Sequence, residues 1–587
     1  MKLVAVDFET DGIESRPDYP PIPRGVAIQR EGSVGHYHKE NARTLKQLLT
    51  PMWNDHKVGL VFHNSSFDLA VATEKLGLPM PHWSRIYDTL FLAFLTDPFA
   101  KTLSLKPSSE HYLGMPPDEQ ADVRDWILEN VPEARRSKKN WGKWIARAPF
   151  NLLSPYAIGD TDRTLKLHAR LSTEAVAEAY RRERRIVGPL TENSATGIRC
   201  DLARLKADLA KYERALLATD RRVYKLLGRT FNVDSGEELA DALEAAGKAT
   251  GFHVTATGRR SVSKGSLADA ITCPEVKALL QYRSQLDTCL STFLRPWVMM
   301  GEASGGRIHF DWFQTRGDTG GGARTGRLSS SPNVQNIPKE LPAKAPRGLP
   351  DLPLLRTYLL PEEGHVWVRK DYSQQELRML AHFAEGSLAQ MYRDNPKVDI
   401  HQIIADALTG MGFVFKDPRR VAKTLAFSLL YGMGLAELAL RLACSVEQAK
   451  AIKEAYLRIV PGIAAVNAQL KQRSKAGEPY HTWGGREYYC EPPRIVEGRL
   501  RTFEYKMLNY LIQGSSADVT KEAMGELFDA GLPGRFLCSV HDEINWSVPA
   551  ARQKKTIAAI HDIMRSVKTD IPMESETEVG ASWGTLQ

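Results

Sequence analysis

No two of the six cysteines are spaced as CxxC, and they are scattered from Cys200 to Cys538. Neither a disulfide framework nor a zinc ribbon is expected, and the chain reads as one made for a reducing, cytoplasmic compartment. Long hydrophobic runs are missing as well. The apolar start, Leu3 to Val6, is broken at Asp7, too early for a signal peptide. No run approaches the roughly 18 apolar residues of a membrane span, so no membrane partner is expected. Charge of one sign is not in excess: 78 Lys and Arg against 70 Asp and Glu leave +8. That permits a polyanionic partner without demanding one. There is no internal repeat and no low-complexity tract. What is there is ordinary globular composition, 43% hydrophobic and 25% charged, which excludes wholesale disorder, collagen and coiled coil. At roughly 150 residues per domain, or 200–250 for larger ones, the length allows two to four domains.

The first 175 residues read as mixed α/β. Val4-Ala5-Val6 opens one strand and Gly59–Phe62 another. Asp7 and Glu9, two apart on a strand, share a face. Asp68 follows the second strand in His63-Asn64-Ser65-Ser66-Phe67-Asp68. Ser154-Pro155 offers a helix start, Ser as cap and Pro in the first turn. Tyr156 and Asp160, four apart, then lie on one face of that helix. Such hard oxygen ligands suit a pair of divalent ions about 3.5–4 Å apart. Between Asp68 and Asp160 runs Arg135-Arg136-Ser137-Lys138-Lys139-Asn140-Trp141-Gly142-Lys143-Trp144. It reads either as a contact for a single strand, by charge and stacking, or as a solvated loop anchored by its tryptophans.

A second constellation lies downstream. Val366–Asp371 reads as a strand ending in a carboxylate, and Phe536–Val540 and Ile544–Val548 as a hairpin with His541-Asp542-Glu543 at its turn. Asp371 and Asp542 are candidate ligands for two Mg²⁺ ions. Asp417 and Pro418 are a helix cap and first residue. Arg419, Lys423, Phe427 and Tyr431, spaced by four, wind gently along one face. Two cations followed by two aromatics suit a nucleoside triphosphate. Gly432 and Gly434 supply the stop. Thr325–Pro338 is a polar loop holding Arg327, Asn333, Gln335 and Asn336, side chains suited to minor-groove acceptors. Asn509 and Gln513 share a helix face. Between the two constellations, residues 176 to about 300 read as helical. A loose stripe of Leu202, Leu205, Leu209, Leu216 and Leu217 marks a helix ending near Gly228. Ser235 and Glu238 form a capping box for a second helix, stopping at Gly247.

Taken in order, DxET, NxxFD and YxxxD resemble the Tyr-containing 3′–5′ exonucleases of the DEDD superfamily. TGRLSS…PNVQNIP, DYSQQELR, RRxxKxxxFxxxYG, NxxxQG and VHDE resemble family A DNA polymerases, and together the motifs cover nearly the whole chain. The resemblance implies a ribonuclease H-like exonuclease domain over 1–175, then a right-hand polymerase domain over 176–587. The thumb is expected at about 190–300, the palm at about 301–385 and 500–587, and the fingers at about 386–499. It makes Asp7, Glu9, Asp68 and Asp160 metal ligands and Tyr156 the residue that positions the attacking water. Asp371 and Asp542 become the catalytic metal ligands, with Glu543 a supporting acid. Arg419 and Lys423 meet the triphosphate, Lys423 also as proton donor to pyrophosphate. Phe427 packs on the incoming sugar and base, and Tyr431 near the templating pair. Arg327, Asn333, Gln335, Asn336, Asn509, Gln513 and His541 meet primer–template DNA. Glu376 is either the helix cap of a Ser373-x-x-Glu376 box or, as the resemblance implies, the gate against a 2′-hydroxyl.

Several positions depart from the family pattern. Ser428 stands where Gly is frequent, Tyr505 where Arg often precedes the NxxxQ segment, and the PNVQNIP loop is one residue shorter than in many relatives. Phe427 in place of Tyr implies poor use of dideoxynucleotides. The loop Thr255–Lys264 is suited to duplex phosphates. The implied activity is DNA-templated addition of dNTPs to a primer with 3′–5′ proofreading, using Mg²⁺ or Mn²⁺. A monomer is expected, working with a replisome helicase or primase. With the exonuclease motif at residue 7, no room is expected for an N-terminal 5′-nuclease. A phage replicative enzyme is the leading expectation and a cellular repair enzyme the alternative.

Overall fold

The computed structural model of the chain describes every residue except 255–257, 259, 262–263, 318–320, 341–343 and 497. The chain divides into two units. The first comprises Met1–Thr196, Phe310–Gln335 and Val368–Glu578; the second comprises Gly197–His309, Asn336–Trp367 and Val579–Gln587.

The first unit opens with a five-stranded mixed sheet. β1 (Lys2–Thr10) lies between antiparallel β2 (Pro23–Arg30) and parallel β4 (Val58–Phe62), with β3 (His36–His38) and β5 (Ile86–Asp88) at the edges. Every residue of β4 is buried, as its uninterrupted apolar run requires of a strand covered on both faces. Val4, Val6 and Phe8 alternate into a core with Leu60, Phe62, Leu92 and Leu167, so Asp7 and Glu9 emerge together on the opposite face. Helices α1 (Ser65–Ala70), α2 (Leu105–Leu113) and α3 (Phe150–Leu171) carry the other candidate residues of this region. The expected start at Ser154-Pro155 is corrected. α3 begins at Phe150 behind Pro149, and Pro155 lies inside it. At the sixth helical position Pro155 forfeits the N–H that would bond the Asn151 carbonyl, yet the helix runs on through it. Trp141 and Trp144 pack with Ile145 against a core of Val123, Ile127 and Leu153. Arg136, Lys138 and Lys139 remain exposed.

Helix α4 (Ala177–Thr196) ties this region to the rest of the first unit. Its Arg182 and Arg185 pair with Glu522, and Arg185 also with Asp529. Glu183, fully buried, accepts from Lys521 Nζ at 2.7 and 2.8 Å and pairs with Arg486. Burial pushes the Glu183 carboxyl up, but these two cations outweigh it and hold it at about 2.

The second unit contains α5 (Leu202–Leu227), α6 (Gly236–Ala245) and α7 (Pro274–Thr288). It also holds a small sheet of β6 (Ile198–Cys200) flanked by β7 (Arg307–Ile308) and β8 (Leu359–Leu360). α5 ends at Gly228, whose φ of +73° closes it. Its buried stripe is Leu205, Tyr212, Ala215, Thr219, Val223 and Leu227, whereas Leu217 is 58% exposed. The leucine stripe drawn from sequence is thus corrected. Ser235 caps α6 through its side chain, but Glu238 bonds the Asn232 N–H instead of closing the box. Within the loop Thr255–Lys264, residues 255–257, 259 and 262–263 lie outside the described residues, and Arg260 is ion-paired with Asp241 and Glu244.

A further sheet runs in the order β10-β11-β9-β12: β9 (His365–Tyr372), β10 (Arg535–Val540), β11 (Glu543–Pro549) and β12 (Ser575–Gly580). Around it stand α8 (Gln375–Ala384), α9 (Ile400–Gly410), α10 (Pro418–Leu430) and the long α11 (Met507–Asp529). Among the described residues no helix is long and apolar enough to cross a membrane.

Candidate functional site

Two carboxylate centres form in the first unit. In the N-terminal one, β1 presents Asp7 and Glu9, and α3 presents Asp160 opposite. Ligand oxygens of the three lie within 4.8 Å of one another. Asp68 arrives on α1 because the chain turns sharply before it. Asn64, at φ +71°, and Ser65 both donate their N–H groups to the buried Asp88 carboxylate, at 3.0 and 2.7 Å. Asp68 is then tied to the strand, Oδ1 accepting from Phe8 N–H at 3.2 Å. It stands outside the tight cluster of three.

These acids share a largely buried and mutually repulsive space. Burial, then Asp160, pushes Asp7 up to about 7, against the pull of Lys106. Burial and neighbouring carboxylates raise Glu9 and Asp68 well above their usual range. Buried oxygen ligands with surplus negative charge fit divalent cations. Tyr156, one turn before Asp160, is half-buried, and its phenol is pushed up by its apolar surroundings and by Asp160. Sequence reasoning missed Lys106. It projects from α2 into the centre, its Nζ donating to both Asp160 oxygens at 2.7 and 2.6 Å. The same atom stands 3.8 Å from the centroid of the Tyr156 ring.

The second centre lines a cavity of about 780 Å³. Asp371 sits near the end of β9 and Asp542 in the turn joining β10 and β11. Tyr372 N–H donates to the Asp542 carbonyl at 3.3 Å, which sets the two acids side by side. His541 takes φ +60° to make that turn, a left-handed conformation that marks local strain. Burial, then Asp371, pushes Asp542 up to about 7. Glu543 is buried within the sheet, Oε1 accepting from Asn545, and does not line the cavity.

The helix face expected from sequence is present. Asp417 caps α10 by accepting from Arg420 N–H at 3.1 Å, and Pro418 opens the helix. Gly432, at φ +65°, follows its end. Arg419, Lys423, Phe427 and Tyr431 all line the cavity. The Phe427 and Tyr431 rings stack at 6.0 Å, and Lys423 Nζ lies 5.8 Å from the Phe427 centroid. Arg419 pairs with Asp399 at 2.8 Å. His401, a cavity residue that sequence reasoning passed over, is pushed down to about 4 by burial.

The capping box at Ser373 does not form. Gln374, in the left-handed region at φ +55°, precedes α8, and the Ser373 hydroxyl donates to Glu576 instead. Glu376 faces the cavity, paired with Arg327 at 2.5 Å and accepting from the Tyr431 hydroxyl at 3.2 Å. Arg327 and His541 line the cavity; Asn333, Gln335, Asn336, Asn509 and Gln513 do not. Gln335 donates to the Ser539 carbonyl on β10 at 3.2 Å. Asn509 and Gln513 share α11, and Asn336 belongs to the second unit.

The fold and its two acid centres define a class, an exonuclease domain followed by a polymerase domain in a mixed α/β chain. The model of DNA polymerase family A matches residues 202–585, and a 3′–5′ exonuclease model matches residues 1–175. The chain belongs to DNA polymerase family A. It is 30% identical over 545 residues to DNA polymerase I of Chloroflexus aurantiacus, covering 89% of this chain and 54% of that protein. It is 31% identical over 498 residues to the thermostable DNA polymerase I of Thermus aquaticus, covering 82% and 57%. With DNA polymerase DpoZ of Salmonella phage PMBT28 it shares 27% identity over 606 residues, covering 93% and 90%. The chain thus spans about half the length of the bacterial relatives. In fold it is similar to the polymerase domain of Pol1 from M. smegmatis, solved with DNA primer-template and dNTP. The TM-score is 0.75 at 23% identity, covering 99% of this chain and 95% of that one.

Proposed function

We propose that the chain is a DNA-templated DNA polymerase that adds dNTPs to a primer 3′ end and proofreads that end with its own 3′–5′ exonuclease. The observation that carries the reading is the pairing of Asp371 with Asp542 at the wall of a cavity that also presents Arg419, Lys423 and Phe427.

In this reading the exonuclease occupies 1–175 and the polymerase 176–587. The thumb spans about 190–300, the palm about 301–385 and 500–587, and the fingers about 386–499. Asp371 and Asp542 hold the ions at the polymerase centre; Asp7, Glu9, Asp68 and Asp160 hold them at the other. When bound, divalent ions, Mg²⁺ or Mn²⁺ in its place, supply Lewis acidity toward the reacting oxygens. Arg419 and Lys423 exchange their present neighbours for the triphosphate, and Lys423 gives a proton to departing pyrophosphate. Phe427 stacks on the incoming nucleotide, Tyr431 borders the templating pair, and Glu376 fills the space a 2′-hydroxyl would need. Glu543 supports the primer terminus. Arg327, Asn333, Gln335, Asn336, Asn509, Gln513 and His541 meet the primer–template. Tyr156 orients the water that attacks the 3′-terminal phosphodiester. The protein works as a cytoplasmic monomer, in a bacterium or a phage-infected cell, beside a helicase or primase. The phage replicative setting is favoured by the near full-length similarity to the phage enzyme.

The test is primer extension on a primed template with Mg²⁺. Asp542→Asn should abolish synthesis while hydrolysis of a single-stranded oligonucleotide continues; undiminished synthesis would overturn the assignment.

A further inference from the structure

Lys106 is a cation inside a site built to hold other cations. It is about 8% exposed, and its ammonium reaches both oxygens of Asp160 at 2.6–2.7 Å. Of the cations near that carboxylate it is the close one. Arg163 stands at 3.9 Å and turns its two terminal nitrogens to Glu119 and the Pro116 carbonyl. An ammonium shared by both oxygens occupies the approach a divalent ion would use to reach Asp160. The Tyr156 ring face, 3.8 Å from the same nitrogen, steadies the charge from the other side. A lysine suits this place better than an arginine would: it is a compact point charge on a flexible four-carbon stem, able to withdraw without breaking a planar fork.

We propose that Lys106 is the resident counter-ion of the exonuclease centre, holding Asp160 and Tyr156 in position in the metal-free protein and competing with divalent ions for Asp160. The inference rests on the exonuclease reading above. Lys106 then sets the metal concentration at which proofreading switches on, and it keeps the three clustered carboxylates from driving the site apart before metal arrives.

Competition has a signature that a structural role lacks. Removing a residue that merely supports the site weakens metal binding, whereas removing a competitor tightens it. The probe is Mn²⁺, titrated by electron paramagnetic resonance into the full chain carrying Asp371→Asn and Asp542→Asn, so that the exonuclease acids are the carboxylate centre left intact. Lys106→Met should lower the Mn²⁺ dissociation constant about tenfold or more, as loss of an adjacent like charge does. Lys106→Arg, which keeps the charge, should bind no more tightly than the parent. Unchanged or weaker binding by Lys106→Met overturns the proposal. Primer extension by Lys106→Met in the otherwise unaltered chain reports on its folding, and Lys106→Gln replaces it, with the same expectation, if it does not fold. Asp7→Ala in the same background separates the two readings. If the Mn²⁺ site survives that change, the metal-ligand assignment fails, whatever Lys106 does.

Discussion

The two acid centres solve the same electrostatic problem in opposite ways. In the exonuclease centre, Asp7, Glu9, Asp68 and Asp160 are packed in the protein interior with a single lysine beside them. Negative charge is in surplus and the carboxylates are largely shielded from solvent, so the acids are pushed toward neutrality. In the polymerase cavity, Asp542 beside Asp371 carries a similar strain, but the cations around the two acids are numerous and accessible. The Arg419 side chain is 53% exposed and paired with Asp399, whereas the Lys106 side chain is 9% exposed. Exposed pairs of this kind are worth little, about 0–1 kcal/mol, and are readily exchanged for a phosphate. In the proposed reading, the exonuclease centre is preorganised for metal, and the cavity would change partners as each nucleotide arrives.

The largest effect tests whether the centres are independent. Asp542→Asn should reduce primer extension about a thousandfold or more and leave single-strand hydrolysis within about twofold. Asp7→Ala should do the reverse. Loss of both activities in either variant would mean that α4 and its buried ion pairs couple the two centres, and the contrast would lose its basis. A smaller effect is expected at Arg419. Because its present partner is exposed and exchangeable, Arg419→Ala should raise the KM for dNTP by about tenfold with a lesser change in kcat, the pattern of lost ground-state binding. A fall in kcat alone would place Arg419 in the chemical step and not in capture. Glu376→Ala frees Arg327 and Tyr431 and opens the space beside the sugar. Ribonucleotide discrimination should then fall by roughly 10–100-fold, within the range that shape selection supplies. Unchanged selectivity would leave Glu376 only its bonds to Arg327 and Tyr431.

What the sequence made legible follows from how far each signal reaches along the chain. Asp7 with Glu9, Tyr156 with Asp160, and the α10 face from Arg419 to Tyr431 are set by the periods of strand and helix, and they stand where those periods put them. The cap at Asp417 and the stop at Gly432 are equally local. Lys106 was not legible, because nothing within its own helix distinguishes an inward lysine from a solvated one. What draws it in is Asp160, 54 residues away. Glu183 was missed for the same reason. The partners of Glu183, Arg486 and Lys521, lie 303 and 338 residues off. Local signals also misled where tertiary contacts outbid them. Ser373 prefers Glu576 to its own helix, and α3 runs on through Pro155.

The smallest expected effect is on stability, and its sign follows from burial. Asp7 has a folded-state pKa of about 7 against an ordinary value of 3.8. A carboxyl raised in this way favours folding while protonated; that contribution is full below the ordinary value and is lost as pH rises through about 7. The metal-free protein is therefore burdened at pH 8 and relieved at pH 5. Asp7→Asn, which keeps the shape and removes the charge, should raise the unfolding temperature in EDTA at pH 8 by a few degrees, at about 2–4 °C per kcal/mol. At pH 5 the gain should shrink toward zero. With saturating Mn²⁺ at pH 8 the sign should reverse, since a bound cation stabilises the native state of the unsubstituted chain by mass action. No such reversal is expected for Arg419→Ala, whose partner is exposed. A pH-independent gain for Asp7→Asn would show that its carboxylate is already balanced in the metal-free protein, leaving Lys106 no surplus charge to answer.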